Sequence, residues 1–262
     1  MNDAHTYCSK DQIKDEFRAV LQMTIDYFKL FNLGDYWFRL SKWDPEKTEK
    51  YINEPENWEL AEGVLREVLE EMGVSFIEVS DEAAFYGPKV DVQFKSIVGR
   101  EETMSTVQLD FLAKERFGLK YVDETGTENN EVFVIHRAPL STHERFIAFL
   151  IEHYAGKWPV WLAPVQVQFI PVSEKFLEGT KELAQKFAEA GVRFEIDSAD
   201  ETVGKKVRKA VENKVPYIIV VGERELSGEA MAVRMRDKDG ETENINKDEF
   251  IERIVKEIGE RK

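Results

Sequence analysis

The sequence predicts an α+β chain: an antiparallel sheet faced by helices, followed by a small α/β domain. Three observations carry this. Before about residue 160, strand-like runs such as Thr106–Phe111 and Val132–Ala138 are separated by hairpin-type loops, with long helical patterns between them. After residue 160, strand and helix alternate at the short pitch of βαβ units, which implies a largely parallel sheet. Between them, Pro159-Val-Trp-Leu-Ala-Pro164 breaks both patterns, so the expected domains are 1–159 and 160–262.

The first helix is expected from Ser9, because Gln12 three residues on makes a capping box. Ile13, Phe17, Val20, Leu21, Thr24, Phe28 and Phe31 follow at helical spacing, and Gly34 is the expected stop. Tyr36–Leu40 reads as a strand, and 44–55 as a polar connection. Trp58, Ala61, Leu65, Leu69 and Met72 mark a second amphipathic helix that Gly73 ends. Phe85–Pro88 is a turn, strands are expected near 90–98 and 104–111, and 123–130 is a hairpin loop before the strand that carries His136. In the second domain the expected strands are Gln166–Val172, Arg193–Asp197, Tyr217–Val221 and Met231–Arg236. The expected helices are 174–190, Thr202–Asn213 and Asp248–Glu260.

Composition narrows the function classes. The length of 262 residues fits two cores better than one. No apolar run approaches the roughly 20 residues of a membrane span, and no signal-peptide pattern is present. A single cysteine, Cys8, rules out an internal disulfide and fits a cytoplasmic location. The net charge of −15 argues against a general nucleic-acid coat. That charge is uneven: residues 1–160 hold 18 Lys+Arg against 30 Asp+Glu, and 161–262 hold 18 against 21. A polyanion is therefore expected at a local basic patch in the second domain.

The strongest local signal is Val132–Leu150. An apolar strand delivers His136, a short turn follows, and a helix opens with Glu144 and Arg145. Unpaired N–H groups at a helix start, beside an arginine, suit a phosphate. This strand–turn–helix is similar to motif 3 of class II aminoacyl-tRNA synthetases. Four further segments occur with it in order: Asn2-Asp-Ala-His5, Ala84-Phe-Tyr-Gly-Pro-Lys89, Thr106-Val-Gln-Leu-Asp-Phe111 and Trp161-Leu-Ala-Pro-Val-Gln-Val167. Together they resemble the threonyl-tRNA synthetases over almost the whole chain, as the last part of the catalytic domain plus the anticodon-binding domain.

The resemblance implies ATP-dependent activation of threonine and its transfer to a threonine-type tRNA, with ATP and Mg as cofactors. It also implies zinc: His5 and His136 fall on the family's two histidine ligands. The family's cysteine ligand has no counterpart, since Cys8 lies three residues past His5 on the wrong segment. The zinc site is therefore expected to be incomplete. Arg145, Gln108 and Lys89 match positions around ATP and the adenylate, while Asp3 and Tyr86 match positions around threonine. Read without the family, Arg145 is a surface arginine paired with Glu144 or Asp110.

Departures from the family pattern matter equally. Ser141-Thr142 stands where the family has Gly-Ser, Pro139 replaces an aliphatic residue, and Glu102-Thr-Met-Ser105 replaces Trp-Gln-(Leu or Cys)-Gly. Motif 1 and most of motif 2, with its phosphate-gripping arginine, find no match. The expectation is a fragment or a split enzyme, weak alone, that works as a homodimer or with a partner supplying those motifs. The alternative is a non-catalytic paralogue that binds tRNA or a synthetase in a regulatory role. In the second domain Arg208, Glu225 and Arg234 match anticodon-reading positions, and Asp200 stands where the family has asparagine. Lys205, Lys206, Arg208, Lys209 and Lys214 form a basic run suited to anticodon-stem phosphates.

Overall fold

A computed structural model describes residues 2–96 and 99–261. The chain divides into two compact units, Met1–His153 and Tyr154–Lys262, earlier than the expected 159/160. The segment after Tyr154 belongs with the second unit in part because the Lys214 ammonium donates to the Ala155 carbonyl.

The first unit runs β1 (Ala4–Cys8), α1 (Ile13–Leu30), β2 (Tyr36–Lys42), α2 (Pro55–Glu71), β3 (Phe76–Ser80), β4 (Lys89–Lys95), β5 (Glu101–Asp110), α3 (Ala113–Phe117), β6 (Tyr121–Val122), β7 (Glu128–Asn129), β8 (Phe133–Ala138) and α4 (His143–Tyr154). Its six-stranded sheet has the order β1-β8-β5-β4-β2-β3. Every pairing is antiparallel except β2 with β3. A two-stranded ribbon of β6 and β7 stands apart from it. The last two positions of the strand expected over 90–98 lie outside the described residues.

Local chemistry accounts for the helices. Gln12 accepts from the Ser9 N–H at 3.0 Å, but the first residues after Ser9 form a 3₁₀ turn and α1 proper starts at Ile13. α1 buries Ile13, Phe17, Val20, Leu21, Thr24, Ile25 and Phe28, each large apolar side chain contributing on the order of 2 kcal/mol. The stop differs from expectation: Asn32, not Gly34, takes the left-handed conformation after α1, which asparagine tolerates. α2 starts with Pro55 in its first turn, buries Trp58, Ala61, Leu65, Val68 and Leu69, and ends before Gly73 at φ +63°. These two helices cover the sheet face that carries Val90, Val92, Val107, Leu109 and Ile135, all essentially buried. Alternation sends the neighbouring residues of the same strands to the opposite face.

The second unit runs β9 (Val167–Pro171), α5 (Leu177–Glu189), β10 (Phe194–Ile196), α6 (Val203–Glu212), β11 (Tyr217–Val221), α7 (Glu223–Ser227), β12 (Ala230–Met235), β13 (Thr242–Asn246) and α8 (Lys247–Gly259). Strand order is β10-β9-β11-β12-β13. The expected largely parallel sheet is mixed: β10, β9 and β11 are parallel, while β12 and β13 add as antiparallel strands. The reason is covalent, because the short α7 and the turn at Asp239-Gly240 reverse the chain locally without a crossover helix. One face packs Phe169, Ile219 and Val233 against Phe187 and Phe250; the other packs Ile170 and Ile218 against Ala210.

Candidate functional site

Strand register builds the first site. His5 on β1 pairs with His136 on β8, His136 with Gln108 on β5, and Gln108 with Lys89 on β4. These four residues from distant segments thus form one row across the sheet, on the face away from α1 and α2. The next row places Asp91 opposite Thr106.

Tyr86 reaches this row because the segment Phe85–Lys89 crosses close over β5. Phe111 donates to the Tyr86 carbonyl at 3.3 Å and Leu109 to the Pro88 carbonyl at 3.0 Å. A Cβ on Gly87 would collide with the Leu109 carbonyl oxygen, so only glycine permits the approach. The Tyr86 hydroxyl donates to Gln108 Oε1, and its ring centroid lies 5.6 Å from that of His136. Burial raises the Tyr86 phenol, and the carboxylates of Asp110 and Asp3 raise it further. It is therefore a neutral hydroxyl donor at neutral pH.

The two histidines meet edge to face with centroids 4.6 Å apart. His136 Nε2 is 3.0 Å from Asp110 Oδ2, and Asp110 is itself fixed by accepting from the Leu112 and Ala113 amides at 2.8 Å each. His5 Nε2 lies 3.9 Å from Asp3. A carboxylate behind a histidine is the usual support of a metal ligand. Among the described residues, however, no group of three or more histidine, cysteine, aspartate or glutamate side chains could hold a metal ion. Cys8 is buried, its thiol faces the Phe133 carbonyl at 3.8 Å, and burial pushes it up to about 11. The described residues do not make a zinc centre by themselves.

Lys89 is held beside Asp91, a carboxylate only 1% exposed. Asp91 accepts from Lys89 at 3.0 Å, Arg39 at 2.9 Å, Thr106 at 2.8 Å and Ser41 at 3.2 Å. Two cations on one carboxylate leave the Lys89 end of the row net positive, which suits an anion, while Asp110 and Asp3 make the histidine end acidic. Arg145 pairs with neither Glu144 nor Asp110; its guanidinium lies 3.9 Å from Glu102. Glu102 sits six residues before Gln108 on β5, about 20 Å away at strand spacing. The turn before α4 carries Ser141 at φ +59°, and the Thr142 hydroxyl accepts from the Arg145 amide at 3.3 Å. Ser105 is not in this row: by alternation it lies on the helix-covered face, buried, and its hydroxyl has no partner.

The residues expected to read nucleic acid in the second unit separate into three places. Asp200 is exposed in the loop after β10, lining a cavity of about 580 Å³ together with Lys206 and Glu174. Glu225 is mostly buried and accepts from the Gly222 amide at 3.1 Å, so it caps α7. Arg234 on β12 lines a different cavity. The basic run of α6, expected to meet anticodon-stem phosphates, is not uniformly exposed. Lys206 is 6% exposed and donates to the Asp197 carbonyl at 3.0 Å, while Lys205 is paired with Glu201 at 2.7 Å. Arg208 and Lys209 remain exposed with no ion pair among the described residues.

The sequence alone did not indicate Asp110 as the partner of His136, Asp91 as the anchor of Lys89, or Glu102 as the partner of Arg145. The parity of β5 carried a signal for the first, since Asp110 lies two residues from Gln108 on the same face.

An antiparallel sheet with a polar row on its open face, leading through a strand–turn–helix to an arginine in the helix's first turn, is the core of a class II aminoacyl-tRNA synthetase. The chain belongs to that family: residues 1–154 match the tRNA synthetase class II core domain (G, H, P, S and T), and residues 166–257 match the anticodon binding domain. Within it, the chain is similar to threonine–tRNA ligases. It is 49% identical over 258 residues to threonine–tRNA ligase 1 of Bacillus subtilis and 46% identical over 260 residues to the threonine–tRNA ligase of Listeria welshimeri. In both cases 98% of this chain is covered, and it spans 40% of the relative's length. Among solved structures, the RNA binding domain of threonyl-tRNA synthetase from Cryptosporidium parvum superposes with a TM-score of 0.85 at 28% identity, over 97% of this chain and 62% of that one. No helix among the described residues is long and apolar enough to cross a membrane.

Proposed function

We propose that this chain is a portion of a threonine–tRNA ligase, comprising much of the amino-acid-activating sheet and the domain that engages the tRNA anticodon. The row His5–His136–Gln108–Lys89 with Tyr86 held over it carries this reading. A neutral Tyr86 hydroxyl fixes the Gln108 amide, presenting polar groups to a small hydroxylated amino acid. Lys89, held on Asp91, offers positive charge toward the acyl phosphate of an adenylate. Arg145 at the start of α4 supplies a guanidinium for ATP phosphate oxygens, with Mg accompanying the nucleotide. The relatives are named as ligases across the matched span, which favours the enzyme over a regulatory paralogue.

In the second unit, Asp200, Arg208, Lys209 and Arg234 are the side chains left available to a tRNA. The partners in this reading are threonine, ATP and a threonine-type tRNA, with a second copy of the chain or another polypeptide as a further partner, in a cytoplasmic setting.

Calorimetric titration with a non-hydrolysable threonyl-adenylate mimic tests the catalytic reading. Binding is expected to exceed that of the valyl mimic and to weaken in Tyr86→Phe and Gln108→Ala. Equal binding of both mimics, unmoved by these substitutions, would refute it.

A further inference from the structure

Asp91 of β4 is 1% exposed and stands two residues from Lys89 on the same sheet face. Register places Arg39 of β2 directly opposite it on one side and Thr106 of β5 on the other. Its donors divide unequally between the two carboxylate oxygens. Oδ2 accepts from Arg39 Nη2 at 2.9 Å, Lys89 Nζ at 3.0 Å and the Ser41 hydroxyl at 3.2 Å. Oδ1 accepts from the Thr106 hydroxyl at 2.8 Å.

Arg39 is the charged member of this set with no place in the ligand row. Lys89 pairs with Gln108, whereas Arg39 lies two strands and one row from Gln108, about 12 Å away at strand spacing. On its outer side Arg39 pairs with Ile77 of β3, which offers no polar side-chain atom. The guanidinium makes a single hydrogen bond to Asp91, and its Nε is buried without a partner. An unpaired buried donor costs stability, so hydrogen bonding alone does not account for an arginine here. Its charge does. A buried carboxylate facing one ammonium makes a neutral pair and keeps that ammonium to itself. With Arg39 on the same oxygen, the three groups carry one positive charge in excess. Lys89 is the cation of the two that borders Gln108.

We propose that Arg39 is a positioning residue that acts through Asp91 to set the place and the free charge of the Lys89 ammonium. Arg39 neutralises the carboxylate from behind, and Lys89 turns its remaining donors to an anion over the row. This rests on the adenylate reading of the row and adds to it a residue that stands behind the ligand. Because the contact is a single hydrogen bond and Nε is unused, a lysine at position 39 can supply the same charge.

The test is calorimetry of the full chain with two non-hydrolysable threonyl-adenylate mimics. Threoninol adenylate has an anionic phosphate link, and a sulfone-linked analogue has an uncharged one. Arg39→Met is expected to weaken threoninol adenylate about ten-fold, the scale of one charge-assisted hydrogen bond, and the sulfone analogue less than about two-fold. Arg39→Lys should recover most of that loss. Lys89→Met should cost at least as much, and adding Arg39→Met to it less than about two-fold more, since the two act as one unit. Lys89, Ser41 and Thr106 still reach Asp91 in Arg39→Met, so the variant is compatible with folding.

Losses that multiply in the double variant would overturn the proposal by showing a separate action of Arg39. Unchanged affinity in Arg39→Met would overturn it too. So would an equal loss of both mimics with a lowered urea midpoint, the result of a purely structural role. Each of these spares the adenylate reading, because the parent still binds threoninol adenylate. A parent that binds neither mimic would overturn both.

Discussion

Glu102 Oε2 lies 3.9 Å from Arg145 Nη2, so the arginine assigned to ATP phosphate is shared with a carboxylate of its own chain. Both side chains are about half exposed, and such pairs are worth about 0.2–1 kcal/mol. Glu102→Gln should therefore tighten ATP binding by at most about five-fold at low salt, with a smaller gain at high salt. Calorimetry at two ionic strengths reads this. An unchanged or weaker affinity in Glu102→Gln would show that the pair does not compete with the nucleotide.

Ser141 holds a left-handed backbone at φ +59°, which costs a non-glycine residue roughly 1–2 kcal/mol. Glycine removes that strain but adds about 0.5–1 kcal/mol of unfolded-state entropy. Ser141→Gly should stabilise the first unit by up to about 1 kcal/mol, read as a raised urea midpoint at unchanged slope. A lowered midpoint would show that the serine side chain contributes more than its backbone costs.

Ser105 presents the opposite case, a relaxed backbone with a buried, unpartnered hydroxyl. Ser105→Ala removes that group and should stabilise by about 1–3 kcal/mol without altering adenylate-mimic affinity, since the residue faces the helices. A loss of affinity with no gain in stability would place Ser105 at the ligand after all.

Glu78 on β3 joins Arg66 of α2 and Lys42 of β2 at 2.5 and 2.8 Å. The hydrogen bond from Arg66 and then that from Lys42 hold its carboxyl down to about 2, against an ordinary 4.5. A depressed carboxylate contributes stability that is complete above about pH 4.5 and lost as pH falls towards 2. Glu78→Gln should thus be less stable than the parent at pH 7, with the gap shrinking below pH 4.5 and closing only below about pH 2. Denaturant midpoints across that range check it; a constant gap between them would contradict the assignment.

His136 commits Nε2 to Asp110, and among the described residues His5 is the imidazole beside it. Two imidazoles without a third protein ligand bind zinc weakly. Elemental analysis of chain purified without added zinc should find well under one zinc per chain. One tightly held ion per chain, lost in His136→Ala, would mean that another group completes the centre.

Much of this architecture was legible in the sequence, for identifiable reasons. α1 and α2 announced themselves through long apolar periodicity, and their buried faces follow it almost residue for residue. β1 was missed because Ala4–Cys8 is polar and largely exposed on alternate positions, so only its pairing with β8 makes it a strand. β12 was read as continuing a parallel pattern because periodicity reports strands, not their direction, and the polar β13 was not read as a strand at all. Lys206 was read as one of a run of phosphate contacts, because the run alone does not show burial; its alkyl stem is buried while its ammonium reaches the Asp197 carbonyl. Its substitution should accordingly disturb the loop at Asp200 rather than weaken all tRNA contacts alike. The Glu102–Arg145 pair joins β5 to α4 across 43 residues of chain, a contact that no local pattern encodes.

The proposed function requires the second unit to discriminate a threonine-type anticodon. The direct measurement is the affinity of the full chain for threonine-type and unrelated anticodon stem-loops at two salt concentrations, in the parent, Arg234→Ala and Asp200→Asn. Tighter binding of the threonine-type loop is expected, further improved by Asp200→Asn. Arg234→Ala should lose that preference, at about 1–3 kcal/mol if the guanidinium contact is bidentate. Equal and weak binding of both stem-loops, unaffected by Arg234→Ala, would contradict it.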